Sequence, residues 1–253
     1  MLSRAHRAIS SGRFSAALLP EIALGLEWAG DLEVVSLELG APDRTIRVLG
    51  STSTEVAAQL PRAVPKRRAE FAAGRHAAAL ALARYGCEEP VARNADGSPA
   101  WPAGFIGSIS HGAGLAVAVV ARSDGYRSVG VDVERLISNG ECAAIADRIL
   151  SPEDFDVLNR ALPEAPRRDL LSLGFSVKES VYKCLNPLAA EFIEFEDACV
   201  IRVLPESAVS GRIWLSLSKS FSGDLGPGIE VPGCYAFQAD HVETLVWLGR
   251  GHR

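Results

Sequence analysis

The chain has 253 residues, of which 48% are hydrophobic and 23% charged, a balance typical of a folded globular protein rather than a disordered one. Its formal net charge of −5 at pH 7 argues against a protein whose whole surface binds nucleic acid. No apolar run reaches the roughly 18 residues that a membrane helix needs, so we predict no membrane span and expect a cytoplasmic protein.

The basic, Ser-rich N-terminus, MLSRAHRAISSGRFSAALLP, allows two interpretations. It is similar in composition to a transit peptide, whereas Leu18 and Leu19, followed by Ile22, favour the start of the fold, which is the interpretation we adopt. The cysteines are widely spaced and include no Cys-x-x-Cys pair, which indicates reduced thiols.

The first half of the chain predicts a strand, a helix and a strand pair. Residues 32–39, LEVVSLEL, form the strand, and VPKRRAEFAAGRHAAALALARYG forms a helix that ends at Gly86. After a loop rich in Gly, Pro and Asn, residues 104–122 read as two strands joined by a tight turn at His111–Gly112.

The second half repeats the helix-then-strand order. A strand at Val129–Val133 precedes a helix with Ser151 as N-cap, and a longer helix runs from Arg168 to Leu185. The remaining segments, ACVIRVLP, GRIWLSLS and GCYAFQADHVETLVWLG, are typical of a strand meander. We therefore predict an α+β fold whose two similar lobes, 1–125 and 126–253, meet at a polar break.

Asp132 and Glu134 stand two residues apart on an extended segment, so both carboxylates leave the same face of a sheet while the flanking valines pack behind. Such a pair is tolerated on a solvated strand end, or it binds a hard cation such as Mg²⁺, which prefers oxygen ligands. The pair alone leaves both interpretations open.

The helix after residue 168 supplies a further acid and two lysines. Its core face is defined by apolar residues at steps of three and four: Leu170, Leu173, Val177, Val181 and Cys184. Glu179 and Lys183 share the opposite face, and Lys178 lies on the flank. An ordinary surface salt bridge would also explain Glu179 and Lys183.

A locally cationic helix and a Ser-His pair are suited to bind an anion. Arg68 and Arg75 share a face of the first helix, and Arg67 is displaced by about 80° from Arg75. Arginine forks match phosphate oxygens. Ser110 and His111 add a hydroxyl and an imidazole. A solvated basic face, or a nucleic-acid patch, is the alternative.

Four segments in this order resemble the phosphopantetheinyl transferase superfamily: RRAEFAAGR (67–75), WPAGFIGSISHG (101–112), GVDVERL (130–136) and FSVKESVYK (175–183). The likeness is to the branch of the enterobactin synthetase component D type, which includes actinobacterial enzymes serving polyketide and nonribosomal peptide synthases.

The resemblance implies a magnesium-dependent enzyme that moves 4′-phosphopantetheine from coenzyme A to a serine of an apo acyl or peptidyl carrier protein and releases 3′,5′-ADP. It also implies a monomer of two pseudo-symmetric lobes with the active site in the cleft between them, and no nucleic-acid partner. Siderophore, polyketide and peptide pathways all remain open as the source of the carrier, and Mg²⁺ or Mn²⁺ as the metal.

The matched positions imply roles for individual residues. The metal acids are Asp132, Glu134 and Glu179, with Glu179 also the catalytic base and Lys183 beside the leaving group. The residues whose positions match the family's coenzyme A contacts are Arg67, Arg75, Arg93, Ser110, His111, Asp132, Lys178, Glu179 and Lys183. The resemblance prefers Arg67, whereas helical geometry prefers Arg68.

Two other functions are compatible with these residues. A non-catalytic module could bind coenzyme A or a carrier protein without releasing 3′,5′-ADP. A metal-dependent nucleotide hydrolase or nuclease could use the same acids and would need no carrier.

Overall fold

The computed structural model describes residues 21–22, 31–49, 59–60, 62–138, 140, 148–189, 192–221 and 224–250. Residues 1–20, on which the transit-peptide alternative rests, lie outside these ranges. Helices and strands mix along the described chain, which confirms the α+β class.

The first half folds into an antiparallel sheet with a long helix on one face. In chain order its elements are β1 (Glu21–Ile22), β2 (Leu32–Glu38), α1 (Pro42–Leu49), α2 (Pro65–Arg84), β3 (Ala92–Arg93), β4 (Pro99–Ala100), β5 (Phe105–Gly112) and β6 (Leu115–Arg122). The sheet has the order β1-β2-β6-β5, and β3 pairs with β4 in a separate hairpin. The predicted strand and helix of this half are confirmed.

The second half folds into a larger antiparallel sheet and two helices. Its elements are β7 (Tyr126–Arg135), α3 (Pro152–Ala161), α4 (Arg167–Leu185), a 3₁₀ turn (Phe195–Asp197), β8 (Ala198–Pro205), β9 (Ser210–Leu217), β10 (Glu230–Phe237) and β11 (His241–Gly249). The strand order is β7-β11-β10-β9-β8. All five apolar residues that defined the core face of α4 are buried, so the predicted orientation of that face is confirmed.

Strand β6 explains why the two sheets lie together. Its residues alternate between two clusters: Val117 and Val119 pack with valines of β7, whereas Ala118 and Val120 pack with alanines of α2. A strand covered on both faces reads as a nearly continuous apolar run, as LAVAVVA does. The apolar side of β7 therefore faces the first sheet, and its acidic side faces α4.

The turn between β5 and β6 lies two residues later than we predicted. Gly112 pairs with Leu115, so Ala113 and Gly114 form the two-residue loop, with φ values of 50° and 82°. A tight hairpin that matches strand twist needs positive φ at both loop residues. His111 is therefore a strand residue, and the prediction that it lies in the turn was wrong.

Two glycines allow close approach on either side of β7. A Cβ on Gly130 would lie 1.9 Å from the carbonyl oxygen of Ser180 on α4, and a Cβ on Gly112 would lie 2.1 Å from the carbonyl oxygen of Val133. Both obstacles are backbone atoms, which cannot rotate away. β7 is thus held between β5 and α4, and this contact brings residues of all three elements together.

Replacing Gly130 with Ala is expected to destabilise the protein by about 1–3 kcal/mol, because the added methyl group must push α4 away from β7. Urea unfolding would measure the change. Gly249→Ala is the matched control, since a Cβ there meets nothing within 4 Å. Equal stability of the two variants would contradict the close contact.

The strands of the first sheet all precede residue 123, and those of the second all follow residue 125. The division at 125/126 and the likeness of the two lobes remain predictions. None of the helices described is long and apolar enough to cross a membrane. Cys87, Cys184, Cys199 and Cys234 are free thiols, and Cys142 lies outside the described ranges.

Candidate active site

Asp132 lies at the centre of a buried hydrogen-bond network between the two sheets. Its Oδ1 accepts from Ser110 Oγ at 2.9 Å and from Lys183 Nζ at 2.6 Å. Its Oδ2 accepts from Ser176 Oγ at 2.9 Å. Side chains from β5, β7 and α4 thus meet at one carboxylate that is 2% exposed.

The hydroxyl groups behind Asp132 form a hydrogen-bonded chain. Ser176 donates to Asp132, so its oxygen accepts from Thr244 Oγ1 at 2.9 Å. Ser180 Oγ lies 2.7 Å from Thr244 Oγ1 and also donates to the Thr244 carbonyl oxygen at 3.2 Å. Because a hydroxyl has one proton, Ser180 shares it between the two Thr244 oxygens. The carboxylate is therefore fixed in orientation from α4 and β11.

Lys183 extends from α4 toward β7. Besides Asp132, its ammonium group donates to Ser110 Oγ at 3.0 Å. The Lys183 side chain is 25% exposed, whereas the Asp132 side chain is 2% exposed. Such a group can both neutralise Asp132 and reach an anion that enters the cleft.

The two glutamates near Asp132 occupy an environment that disfavours further negative charge. Burial, and then the Asp132 carboxylate, raise the pKa of Glu134 to about 7, with Glu179 adding to the rise and Lys183 opposing it. Burial likewise raises the pKa of Glu179; Lys183 lowers it and Asp132 raises it. Asp132, Glu134, Glu179 and Lys183 therefore interact electrostatically.

The charge of these three carboxylates suits a hard divalent cation. Oxygen donors are the ligands that Mg²⁺ prefers, and a cation would relieve the repulsion that raises both glutamate pKa values. In the ranges that the structure describes, however, no three His, Cys, Asp or Glu side chains are grouped closely enough to hold a metal ion. Lys183 contacts the Asp132 oxygen instead. Metal binding by the three acids stays a prediction.

Arg67 and His111 meet across the space between α2 and β5. Arg67 Nη1 donates a short hydrogen bond to His111 Nε2, and His111 Nδ1 lies 3.6 Å from Glu70 Oε2. Burial, and then the Arg67 charge, lower the pKa of His111, so the imidazole is neutral at pH 7. The structure thus places Arg67 beside His111. Arg67, rather than Arg68, as the phosphate ligand stays a prediction.

Arg75 and Arg93 form a second cationic pair. Arg75 Nη1 is buried and has no hydrogen-bond partner among the described residues. Burial, and then the charge of Arg93, lower the pKa of Arg75 to about 10. Eight residues separate Arg67 from Arg75, about 12 Å along the helix. A buried donor without a partner next to a second guanidinium is suited to a phosphate group.

Lys178 does not belong to this group of residues. Its side chain is 1% exposed, and its ammonium group donates to Asp154 Oδ2 at 2.6 Å and to the carbonyl oxygen of Phe195 at 2.8 Å. It is therefore enclosed by α3 and the 3₁₀ turn, and its ammonium group is not accessible to a ligand. The prediction that Lys178 contacts coenzyme A is corrected on this ground.

Sequence reasoning overlooked three residues that shape the site. Ser176 is part of the motif we quoted, and its four-residue spacing from Ser180 could have indicated a shared polar face. Glu70 stands three residues after Arg67, but its contact with His111 joins distant segments. Thr244 carries no local signal, because only the pairing of β11 with β7 brings it opposite Asp132.

Two family models match the chain. One, described as the 4′-phosphopantetheinyl transferase N-terminal domain, matches residues 55–121. The other, described as the 4′-phosphopantetheinyl transferase superfamily, matches residues 128–223. Together they include every residue that we placed in the candidate site, apart from Thr244.

Curated relatives carry corresponding names. The 4′-phosphopantetheinyl transferase PptT of Mycobacterium tuberculosis is 37% identical over 161 residues, which is 62% of this chain and 68% of the relative. The 4′-phosphopantetheinyl transferase Npt of Nocardia iowensis is 37% identical over 60% of this chain and 68% of its own length. Enterobactin synthase component D of Salmonella typhimurium is 37% identical over 48% of this chain and 49% of its own length.

Proposed function

The chain belongs to the 4′-phosphopantetheinyl transferase superfamily, and from this premise we propose that it transfers 4′-phosphopantetheine from coenzyme A to a serine of an apo acyl or peptidyl carrier protein. The second product is 3′,5′-ADP. The observation that supports this most is the meeting of Ser110 and Lys183 at the buried Asp132 carboxylate, which adds to burial in raising the pKa of both Glu134 and Glu179.

In the proposed reaction the carrier serine oxygen forms a bond to the phosphorus that carries pantetheine. The bond from that phosphorus to the oxygen of 3′,5′-ADP breaks, and the serine proton must be removed. Glu179 takes this proton, directly or through a water molecule. Its raised pKa suits a general base that works near neutral pH.

Lys183 holds the leaving phosphate. Its ammonium group is already fixed by Asp132 and Ser110, and its exposed side faces the cleft, so it can donate to the negative charge that builds on the departing oxygen. A donor that is fixed before the reaction stabilises such charge without reorganisation.

Asp132, Glu134 and Glu179 are the residues that would hold a divalent cation, Mg²⁺ or Mn²⁺. When bound, such a cation neutralises charge on the pyrophosphate oxygens. The hydroxyl chain through Ser176 and Thr244 keeps the Asp132 carboxylate oriented in the cleft whichever cation is used.

Arg67 with the neutral His111, and Arg75 with Arg93, would hold the remaining phosphate charge of coenzyme A. Arg67 and His111 lie on the Ser110 side of the cleft, and Arg75 and Arg93 lie further along α2. Because coenzyme A carries a 3′-phosphate as well as a pyrophosphate, two separate cationic positions match its two anionic groups. The buried Nη1 of Arg75 would gain a partner.

The direct test combines the purified chain, coenzyme A, Mg²⁺ and a panel of apo carrier proteins, followed by mass measurement of each carrier. We expect at least one carrier to gain one phosphopantetheine group, with equimolar 3′,5′-ADP. Binding without 3′,5′-ADP would indicate a non-catalytic module instead. Product released without any carrier would indicate a hydrolase. Replacing Mg²⁺ with Mn²⁺ in the same assay shows which metal supports transfer. We also propose that the protein is a cytoplasmic monomer, and size-exclusion chromatography tests its oligomeric state.

Replacing Lys183 with Ala is expected to lower kcat by about 10²–10³-fold, because one fixed donor to the leaving phosphate is lost. The KM for the carrier protein should stay within about 2-fold, since the side chain acts on the phosphate. Steady-state rates over a range of carrier concentrations would measure both. A change confined to carrier KM would show a docking role instead.

A further inference from the structure

The second lobe contains a fully buried ion pair that the proposed reaction does not use. Lys178 Nζ and Asp154 Oδ2 are 2.6 Å apart, and each side chain is 1% exposed. Removing two charges from water costs free energy that a single ion pair offsets only with good geometry and further hydrogen bonds. A pair of this kind therefore needs an explanation beyond stability.

Asp154 joins three segments of the chain through its two oxygens. Oδ2 accepts from the backbone N–H of Ser151, which completes the capping box at the start of α3. Oδ1 accepts from the backbone N–H of Val200 on β8 at 2.6 Å. Lys178 adds α4 to this junction and also donates to the carbonyl oxygen of Phe195.

Lys178 stands immediately before Glu179 on α4. Neighbouring helix residues point about 100° apart, so a lysine held on one side determines where the next side chain points. Ser176, Ser180 and Lys183 bond one side of α4 to β7 and β11. Lys178 bonds another side of α4 to Asp154 and to the Phe195 carbonyl oxygen, and these directional bonds complete the set that fixes the rotation of the helix about its axis.

A small rotation is enough to matter for the reaction. Helix side chains reach about 5–6 Å from the axis, so a rotation of about 10° moves a side-chain end by about 1 Å. A displacement of about 1 Å at a reacting group can lower a rate by about 10²-fold.

We propose that the Asp154–Lys178 ion pair is a positioning device for Glu179: it sets the rotation of α4 and thereby directs the Glu179 carboxylate into the cleft. Asp154 and Lys178 are positioning residues that do not touch the substrate. This inference rests on the proposed function, since it assigns a purpose to the pair through the base of that reaction.

The test compares Lys178→Met with the double variant Lys178→Met/Asp154→Asn. Lys178→Met leaves a buried carboxylate without its counter-charge, so both Tm and kcat should fall, kcat by about 10–100-fold. The double variant removes both charges, so Tm should recover in part; recovery is incomplete because the single Asn oxygen can accept from only one of the Ser151 and Val200 N–H groups. Because the directional contact is still absent, kcat should stay low while the KM for coenzyme A stays within about 2-fold of the wild type.

Lys219→Met is the matched control. Lys219 Nζ lies 2.9 Å from Asp197 Oδ2, in the same 3₁₀ turn that contains Phe195. Unlike Lys178, Lys219 has a side chain that is 48% exposed, and it lies just after strand β9 rather than on α4. We expect its kcat to equal that of the wild type.

Recovery of kcat together with Tm in the double variant would overturn the positioning role and leave a purely structural ion pair. A wild-type chain that transfers nothing to any carrier would overturn the proposed function, and this inference with it. Active wild type, low kcat, and a Tm in the double variant that is higher than in Lys178→Met together support the inference.

Discussion

Replacing Glu179 with Gln is expected to slow transfer by about 10²–10⁴-fold, which is the usual contribution of a general base. Gln keeps the size of the side chain and can accept a hydrogen bond, but it cannot take the serine proton. The measurement is the single-turnover rate of carrier modification at saturating coenzyme A.

The same substitution should leave stability unchanged or slightly higher. Burial raises the pKa of Glu179, so folding favours its protonated form. A group of this kind contributes stability below its unfolded pKa and loses it as pH rises through the folded pKa. Gln resembles the protonated form at every pH and therefore avoids that loss at pH 7–8. Urea unfolding of the wild type and of Glu179→Gln at pH 7–8 would measure this difference in stability.

Glu164→Gln is the control, because Glu164 is exposed in the turn between α3 and α4. It should match the wild type in rate and in stability. Full activity of Glu179→Gln would remove Glu179 from the chemistry. Unfolding of that variant would instead show that its carboxylate is needed for the structure.

Local sequence patterns predicted the parts of the site that depend on one element at a time. The three-and-four spacing from Leu170 to Cys184 gave the buried face of α4 and left Glu179 and Lys183 on the cleft side. The two-residue spacing of Asp132 and Glu134 gave their common side of β7, because side chains alternate along a strand.

The same patterns failed for Lys178, whose burial depends on contacts with distant segments of the chain. On a helical wheel Lys178 lies on a flank, and nothing local shows that α3 and the Phe195 segment cover that flank. The burial of Lys178 depends on its pairing with the buried Asp154. In the sequence, Asp154 resembles an ordinary acid in the first turn of a helix. Long-range contacts thus changed a predicted ligand contact into an internal ion pair.

Gly112 is a second residue whose role the local sequence pattern did not predict. Glycine next to His111 favoured a turn there, since turns commonly use glycine. In the structure its small size serves close packing against Val133, and the turn falls on Ala113 and Gly114. A sequence cannot distinguish glycine required for conformation from glycine required for space, because the obstacle belongs to another strand.

Replacing Asp132 with Asn is expected to lower transfer by at least about 10²-fold and to destabilise the protein by about 1–3 kcal/mol. Both carboxylate oxygens accept hydrogen bonds, from Ser110 and Lys183 on one side and from Ser176 on the other. The amide group of Asn has a single oxygen, so in either orientation its NH₂ faces a donor. If the NH₂ faces Lys183, two positively polarised groups oppose each other. If it faces Ser176, the hydroxyl chain to Thr244 must reverse.

The loss of stability should be smaller than for an ion pair that is buried on both sides, because Lys183 is 25% exposed and can turn toward water. Asp124→Asn is the control, since this acid is 71% exposed and, among the described residues, forms its ion pair with Arg122 alone. Urea unfolding and single-turnover rates of the two variants would separate the effects. If Asp132→Asn kept its activity over the whole range of Mg²⁺ concentrations, Asp132 could not be the carboxylate on which the site depends. Activity restored only at high Mg²⁺ would instead agree with a carboxylate that helps to hold the metal, because the amide oxygen is a weaker, uncharged ligand.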